Sequence, residues 1–418
     1  MIKFNNDAAT DAAIKNDLMT SVVSRTLSVT IGGTLIPAEN IVADSLNLKS
    51  SILSGSILNF GGCIPSQLTL HFLNLKNVIS GDISEAAITV SIIIVYLDNG
   101  IEQTLTQQLF TGFVFSMKTL QKRAYSELIA FDEMYRMAQT KCKGAISGVM
   151  AYSQADISTL YRFARKTLEL YDGKYNTDFV TQFEALGGGF QNELAPHLQI
   201  NLSKTLFDKY ASDDLTVLDL LKAHSELNAR FAYIAADGSL KFTKFFSITG
   251  HHRDVVIKKP VDEVIQYFQD ASCEDYDSAQ VLYLSFAYNG NDAFIYRASD
   301  DKRFWYISDN IITKCIDDLS IMGRIITNFW QTDTQMNFIF YSLSQYKPFK
   351  LTTFGEFWLE PGDRVTVNLP TYNSQTKTYD NTAIDSFILN REIKGISNLK
   401  VNVSADGSKY LSKEVVAV

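Results

Sequence analysis

The sequence predicts a mainly β protein with α+β insertions, and three observations predict it. Segments that alternate apolar and polar residues at period two recur near both ends of the chain, as strands with one buried face do. The chain holds 27 Phe and 20 Tyr against only 7 Pro, a composition that suits pleated surfaces. Hairpin-type turns, Asp98-Asn99-Gly100 and Asp237-Gly238, separate such segments. At 418 residues the chain is too long for one ordinary core, so about two to four domains are expected.

From Ser24 to Asp132 strand follows strand. Arg25–Ile31 alternates, as does Ser45–Leu53, and Gln67–Leu75 places Leu68, Leu70 and Phe72 on one face. Val90–Leu97 is expected to pair with Ile101–Leu109 through the Asn-Gly turn. Phe110–Met117 and Ala124–Phe131 then complete a sheet large enough to close into a barrel. Gly61 and Gly62 read as a bulge or a close backbone approach.

The period changes after Met134. Ile157, Leu160, Tyr161, Ala164 and Leu168 share a helical face, with Ser153 or Asp156 as the expected N-cap. Gly187-Gly188-Gly189 breaks the pattern and reads as a loop, since it lacks the frame, strand and lysine of a phosphate cradle. Thr216–Asn228 is a short amphipathic helix with Val217, Leu220, Leu221 and Leu227 inward, and Thr216 with Asp219 approximates a capping box. Arg230–Ile234 and Leu240–Phe246 form a hairpin. A mixed stretch follows, with a strand at Val281–Ala287 and a helix at Ile311–Ile326. After Phe338 strands return. Glu360-Pro361-Gly362-Asp363 fits a type II turn, because Pro presets φ at the second position and Gly accepts positive φ at the third. Thr366 and Val367 continue a strand, Asn368–Lys377 reads as a polar loop, and Phe387–Gly395 and Val401–Gly407 as further strands. The expected units are 1–133, 134–212, 213–250, 251–337 and 338–418.

The bulk numbers restrict the function. Hydrophobic content of 46% with 20% charged residues describes a folded chain. A net charge of −8 argues against sequence-independent nucleic-acid binding, which needs a basic footprint. A negative wall is compatible with a channel through which DNA passes without sticking. Cys63, Cys142, Cys273 and Cys315 are dispersed, form no CxxC pair and read as buried thiols in a reducing compartment. The opening residues lack a signal-peptide pattern, and the apolar run Ala86–Leu97 is interrupted by Thr89 and Ser91 and too short for a bilayer. A soluble protein not exported by the usual route is expected.

No constellation carries chemistry. His251 and His252 are neighbours whose side chains would point apart on a strand, so they read as a solvated loop. His71 and His224 lack a G-x-S-x-G or cysteine nucleophile nearby and read as ordinary core or surface histidines. Asp275-Tyr276-Asp277 and Asp300-Asp301 lack calcium-loop spacing. Trp305, Trp330 and Trp358 are scattered and read as packing residues. No catalytic, cofactor-binding or metal-binding residue is assigned, no cofactor is expected, and the chain is read as a non-enzyme.

Four stretches carry a resemblance: Ser45–Cys63, Ser126–Tyr135, Thr216–Phe242 and Leu359–Gly407. In their order and spacing they resemble the baseplate hub proteins of phage tails, especially those of Gram-positive prophages and phage-like particles. Phe131 stands where that family more often has Tyr. The resemblance implies two tail-tube-like β-barrel domains with smaller helical and mixed domains inserted: 1–133 the first barrel, 213–250 and 338–418 the second. It implies a homotrimer that adapts a hexameric tail tube to a trimeric central spike, contacts other baseplate proteins, and lines a channel that DNA crosses without specific binding. Assembly in the bacterial cytoplasm, in a phage or a contractile bacteriocin, is expected. Some relatives add a wall-digesting domain, which is not expected here because the chain stops soon after Gly407. The rival expectations are a tail-associated cell-wall hydrolase (peptidase or lysozyme-like) with its site in 134–212 or 251–330, and a glycan-binding baseplate protein.

Overall fold

The computed structural model describes residues 2–42, 44–52, 61–120, 125–185, 199–228, 230–244, 255–257, 269–273, 282–288, 292–297, 304–318, 320–321 and 349–404. The protein is mainly β. In chain order come helix α1 (Ala8–Thr20) and strands β1 (Val22–Ile31), β2 (Thr34–Ile36), β3 (Asn47–Ser51) and β4 (Gln67–Leu73). Helix α2 (Leu75–Val78) precedes β5 (Ala87–Asp98), β6 (Ile101–Leu120) and β7 (Tyr125–Phe131). Helices α3 (Glu133–Gln139), α4 (Lys143–Tyr152), α5 (Leu160–Tyr175), α6 (Phe179–Ala185), α7 (Lys204–Tyr210) and α8 (Val217–Leu227) follow. Next are β8 (Arg230–Ile234), β9 (Leu240–Lys244), β10 (Val255–Ile257), β11 (Gln269–Cys273), β12 (Leu282–Tyr288), β13 (Asp292–Arg297) and β14 (Phe304–Ser308). The chain closes with β15 (Phe349–Phe354), β16 (Arg364–Asn373), β17 (Thr378–Phe387), β18 (Asn390–Lys394) and β19 (Lys400–Ser404).

One 11-stranded sheet organises the molecule, in the order β11-β15-β19-β18-β3-β4-β7-β6-β5-β1-β2. Every neighbouring pair in it is antiparallel. The two ends of the chain meet where β3 pairs with β18, Leu48 opposite Ile393. Alternation sorts the faces. Leu48, Leu68, Leu70, Phe72, Leu128, Ile393, Val401 and Val403 are all buried on one side, and each such side chain contributes roughly 1.5–3 kcal/mol relative to exposure. Residues of opposite parity, such as Lys49, Glu392 and Asn402, form the other, polar face.

The expected β5–β6 hairpin is present, and Asn99 (φ 49°) with Gly100 (φ 81°) forms the two-residue turn in which both φ values are positive. The segments read separately as Ile101–Leu109 and Phe110–Met117 form one strand of 20 residues. Bulges rather than a break separate them: the pairing register shifts at Leu109 and again at Phe115. An extra residue on one strand resets the alternation without ending the strand, so Leu109 and Phe110 are buried in succession.

Other expectations are corrected. The α5 cap is Thr159, whose hydroxyl accepts from the Arg162 N–H at 3.2 Å, while Ser153 and Asp156 belong to a 3₁₀ turn before it. Asn368–Asn373 belongs to β16 and not to a loop, because each residue is paired with β17 across a hairpin turned at 374–377. Helix α1, which the sequence did not suggest, is capped by Asp7 accepting from Thr10 N–H at 2.8 Å and buries Leu18. The helix at Ile311 is short, Ile311–Lys314, and residues 322–348 lie outside the described residues. By contrast, the Thr216–Asp219 capping box forms with both reciprocal bonds, and β8 and β9 pair as expected around Asp237-Gly238. Among the described residues no helix is long and apolar enough to cross a membrane.

Candidate functional site

Three chain regions converge beside the β3–β18 seam. The Glu360–Asp363 turn is type II in character, with Gly362 at φ 89° and the Asp363 N–H donating to the Glu360 carbonyl at 3.1 Å. A Cβ on Gly362 would stand 2.2 Å from Phe231 Cζ of β8, so the turn lies directly on that ring. The turn is also tied to the strand end beyond it: Gly362 N–H donates to Ile388 O at 2.7 Å, and Ile388 N–H to Asp363 O at 2.9 Å.

Arg391 bridges the turn and the seam. Its guanidinium donates to the Leu359 carbonyl at 2.6 Å and to the Ser50 hydroxyl on β3 at 3.3 Å. Burial pulls the guanidinium below its usual range, and Glu360, Asp363 and Tyr233 act against that shift. Burial pushes the Asp363 carboxyl up, with the nearby Glu360 charge adding to the effect. Asp363 also accepts from the Glu360 N–H at 2.9 Å.

The expectation of a close approach at Gly61-Gly62 holds. A Cβ on Gly62 would fall 1.8 Å from the Ile52 carbonyl oxygen. The segment extends beside β8: Gly61 N–H donates to Arg230 O at 3.0 Å and Ala232 N–H to Gly62 O at 3.1 Å. Nearby, Asp132 accepts from Ser66 N–H at 2.8 Å and Met134 N–H at 3.0 Å, capping α3 and pinning the approach to β4. Burial pushes its carboxyl up to about 7 against the opposing pull of those donors.

On the polar face a groove of about 560 Å³ opens over β3, β18, β19 and β15. Lys49, Lys350, Lys394 and Lys400 line it, with Glu392 as the carboxylate among them. Glu392 takes Lys394 at 2.8 Å, Lys49 at 3.7 Å and the Asn402 amide at 3.1 Å. Burial works against its charge, yet these partners hold its carboxyl below the usual range. Such a surface fits anionic groups of a partner.

The sequence did not single out Arg391 or the lysines. Parity held the signal: Arg391 shares a strand face with buried Ile393, whereas Lys394 and Glu392 share the opposite one. Of the residues weighed for chemistry, His71 lies 3.3 Å from Glu127 on the next strand. His224 is fully buried on α8, which with the nearby Arg230 charge drives its pKa down to about 3 and keeps it neutral. Among the described residues no hydrogen bond or ion pair joins these two histidines to each other. Cys63, Cys142 and Cys315 are free and buried, and burial pushes their thiols up to about 11, 12 and 12, far from the thiolate form. Trp358 packs edge-on against Phe4 and Phe357 in the core. Gly187–Gly189, His251, His252, Asp275–Asp277, Asp300, Asp301 and Trp330 lie outside the described residues, as do the side chains of Trp305 and Cys273. Among the described residues no three His, Cys, Asp or Glu side chains cluster as a metal site would need.

No protein-family model matches the chain. No curated protein matches it either. Solved structures do. The tail protein of Neisseria meningitidis MC58 is similar over 92% of this chain and 98% of its own, at 12% identity and a TM-score of 0.49. The 43 kDa tail protein of prophage MuSo2 from Shewanella oneidensis is similar over 91% and 97%, at 11% identity and a TM-score of 0.44. A chain of the Francisella PdpA-VgrG complex is similar over 92% of this chain and 58% of its own, at 10% identity and a TM-score of 0.39.

Two outcomes follow from the junction. Arg391→Met removes the guanidinium that bonds the Leu359 carbonyl and Ser50 and offsets the buried Glu360 and Asp363 charges, and urea denaturation is expected to show a loss of roughly 3–5 kcal/mol. Asp132 has a folded pKa of about 7, above its ordinary 3.8. Its contribution is therefore complete below pH 3.8 and is lost as pH rises toward 7. Stability measured across that range is expected to fall in the wild type relative to Asp132→Asn, with the difference levelling off above it.

Proposed function

We propose that the chain is a structural baseplate hub of a phage or phage-like tail. In this reading three copies form a ring that adapts a hexameric tail tube to a trimeric central spike, binds other baseplate proteins and surrounds an axial channel. DNA or protein cargo crosses that channel without a specific site. The ring is assembled in the bacterial cytoplasm and resides in the tail tip. Residues 1–133 make the first tube-like unit, 213–250 with 338–418 the second, and 134–212 and 251–337 are insertions.

One observation carries the reading. The four stretches that resemble hub proteins are far apart in sequence, yet they share one junction. Ser50 of the first meets Arg391 of the last. Gly61 and Gly62 of the first bond to β8 of the third. Gly362 of the last lies on Phe231 of the third, and Asp132 of the second holds Ser66 beside the first. Resemblances that arose by chance composition have no reason to pack together. The sheet adds a physical argument: one face is core and the other polar, as a part that is dry inside and hydrated along a channel or interface requires. A trimer of two-unit chains presents six similar units to a sixfold tube.

Electron microscopy of the purified chain, with its mass in solution, tests this. A threefold ring with an axial channel and three chain masses is expected. A monomer that cleaves peptidoglycan or binds wall glycans would overturn the reading.

A further inference from the structure

We propose that the lysine groove over β3, β15, β18 and β19 receives the acidic tip of the β5–β6 hairpin of a second copy of this chain. The inference rests on the ring assembly proposed above and names a contact that closes it.

The groove and the tip are complementary. In a chain with a net charge of −8, the groove gathers four lysines around a single carboxylate. Lys49 and Lys394 already face Glu392, and their side chains remain 59% and 47% exposed. Lys350 and Lys400 add positive charge on the neighbouring strands. Asn402, Thr352 and Asn390 supply hydrogen-bonding groups between the lysines.

The tip carries the matching features. Asp98 and Glu102 are exposed and flank the Asn99-Gly100 turn. Beside them Leu97 is 36% and Ile101 65% exposed, although both are large apolar residues. The register sets Asp98 opposite Ile101 and Leu97 opposite Glu102, so each face of the tip pairs one acid with one apolar side chain. Among the described residues no second strand pairs with the outer edge of the first half of β6. β7 pairs with β6 only from Phe113 onward, so 101–108 has β5 as its strand partner. That stretch contains no Lys or Pro, the usual protection of an exposed edge.

The placement of the two surfaces allows a head-to-tail contact. Groove and hairpin lie on opposite flanks of the sheet, with β4 and β7 between them. A contact between unlike surfaces can be repeated head to tail, and where its rotation closes it generates a ring. Charge complementarity of this kind sets register and partner choice.

The test uses the full chain, mixed from equal parts natural-abundance and ¹⁵N-labelled protein and treated with a zero-length carbodiimide. Mass spectrometry is expected to find mixed-isotope cross-links joining the Asp98–Glu102 peptide to peptides containing Lys350, Lys394 or Lys400. D98K/E102K and K350E/K400E are each expected to weaken self-association about tenfold or more, and the chain carrying all four changes to recover it. A ring that persists in both charge-reversed chains, without those cross-links, overturns this contact and leaves the hub reading standing. A wild-type chain that stays monomeric at every concentration overturns this contact, and one that also cleaves peptidoglycan or binds wall glycans overturns the hub reading as well.

Discussion

Everything in this structure hangs on a turn that must touch a ring. The Glu360–Asp363 turn can lie on Phe231 only because position 362 has no Cβ and accepts a positive φ. That contact sets where β18 begins, through the paired bonds between Gly362 and Ile388 and between Ile388 and Asp363. It also puts the Leu359 carbonyl within reach of Arg391, which then extends to Ser50 on β3. A local turn thus becomes the fastening between the two ends of the chain.

Such a fastening has a physical cost. Arg391, Glu360 and Asp363 are all buried, and charges taken out of water are stabilising only when mutually satisfied. What the cluster supplies is specificity of pairing. β3 is short, five residues, and alternation alone would let it slip by two without moving a side chain to the wrong face. The Arg391–Ser50 bond and the Ser51–Asn390 bond beside it select one register. With that register fixed, Lys49, Glu392 and Asn402 fall in one row across the strands, and the polar groove exists.

Local chemistry was legible in the sequence wherever a residue's role is decided within a few positions. The Thr216–Asp219 capping box, the Asn99-Gly100 turn, the Pro361-Gly362 turn and the inward set Leu68, Leu70 and Phe72 all have such causes. Expectations failed where a distant partner decides. Asn368–Asn373, expected as loop, is strand because it pairs with β17 across the hairpin, a pairing that overrides propensity. The bulges at Leu109 and Phe115 answer to the registers of β5 and β7. Arg391 was hidden for the same reason: its parity marks it as inward, but its partners come from β3 and the turn before β16. The lysine groove is assembled from four strands, two near each other in sequence and two remote, so no single window displays it.

Amide hydrogen exchange on the native full chain tests the role of the junction most directly. The N–H groups of Gly362, Ile388, Gly61 and Ala232 join the three regions, and they are expected to exchange with the same opening free energy as the central pairs of β4 and β7, through one cooperative unfolding. If these amides instead exchange by a local opening while β4 and β7 stay protected, the junction is peripheral and the two ends of the chain are held together by something else.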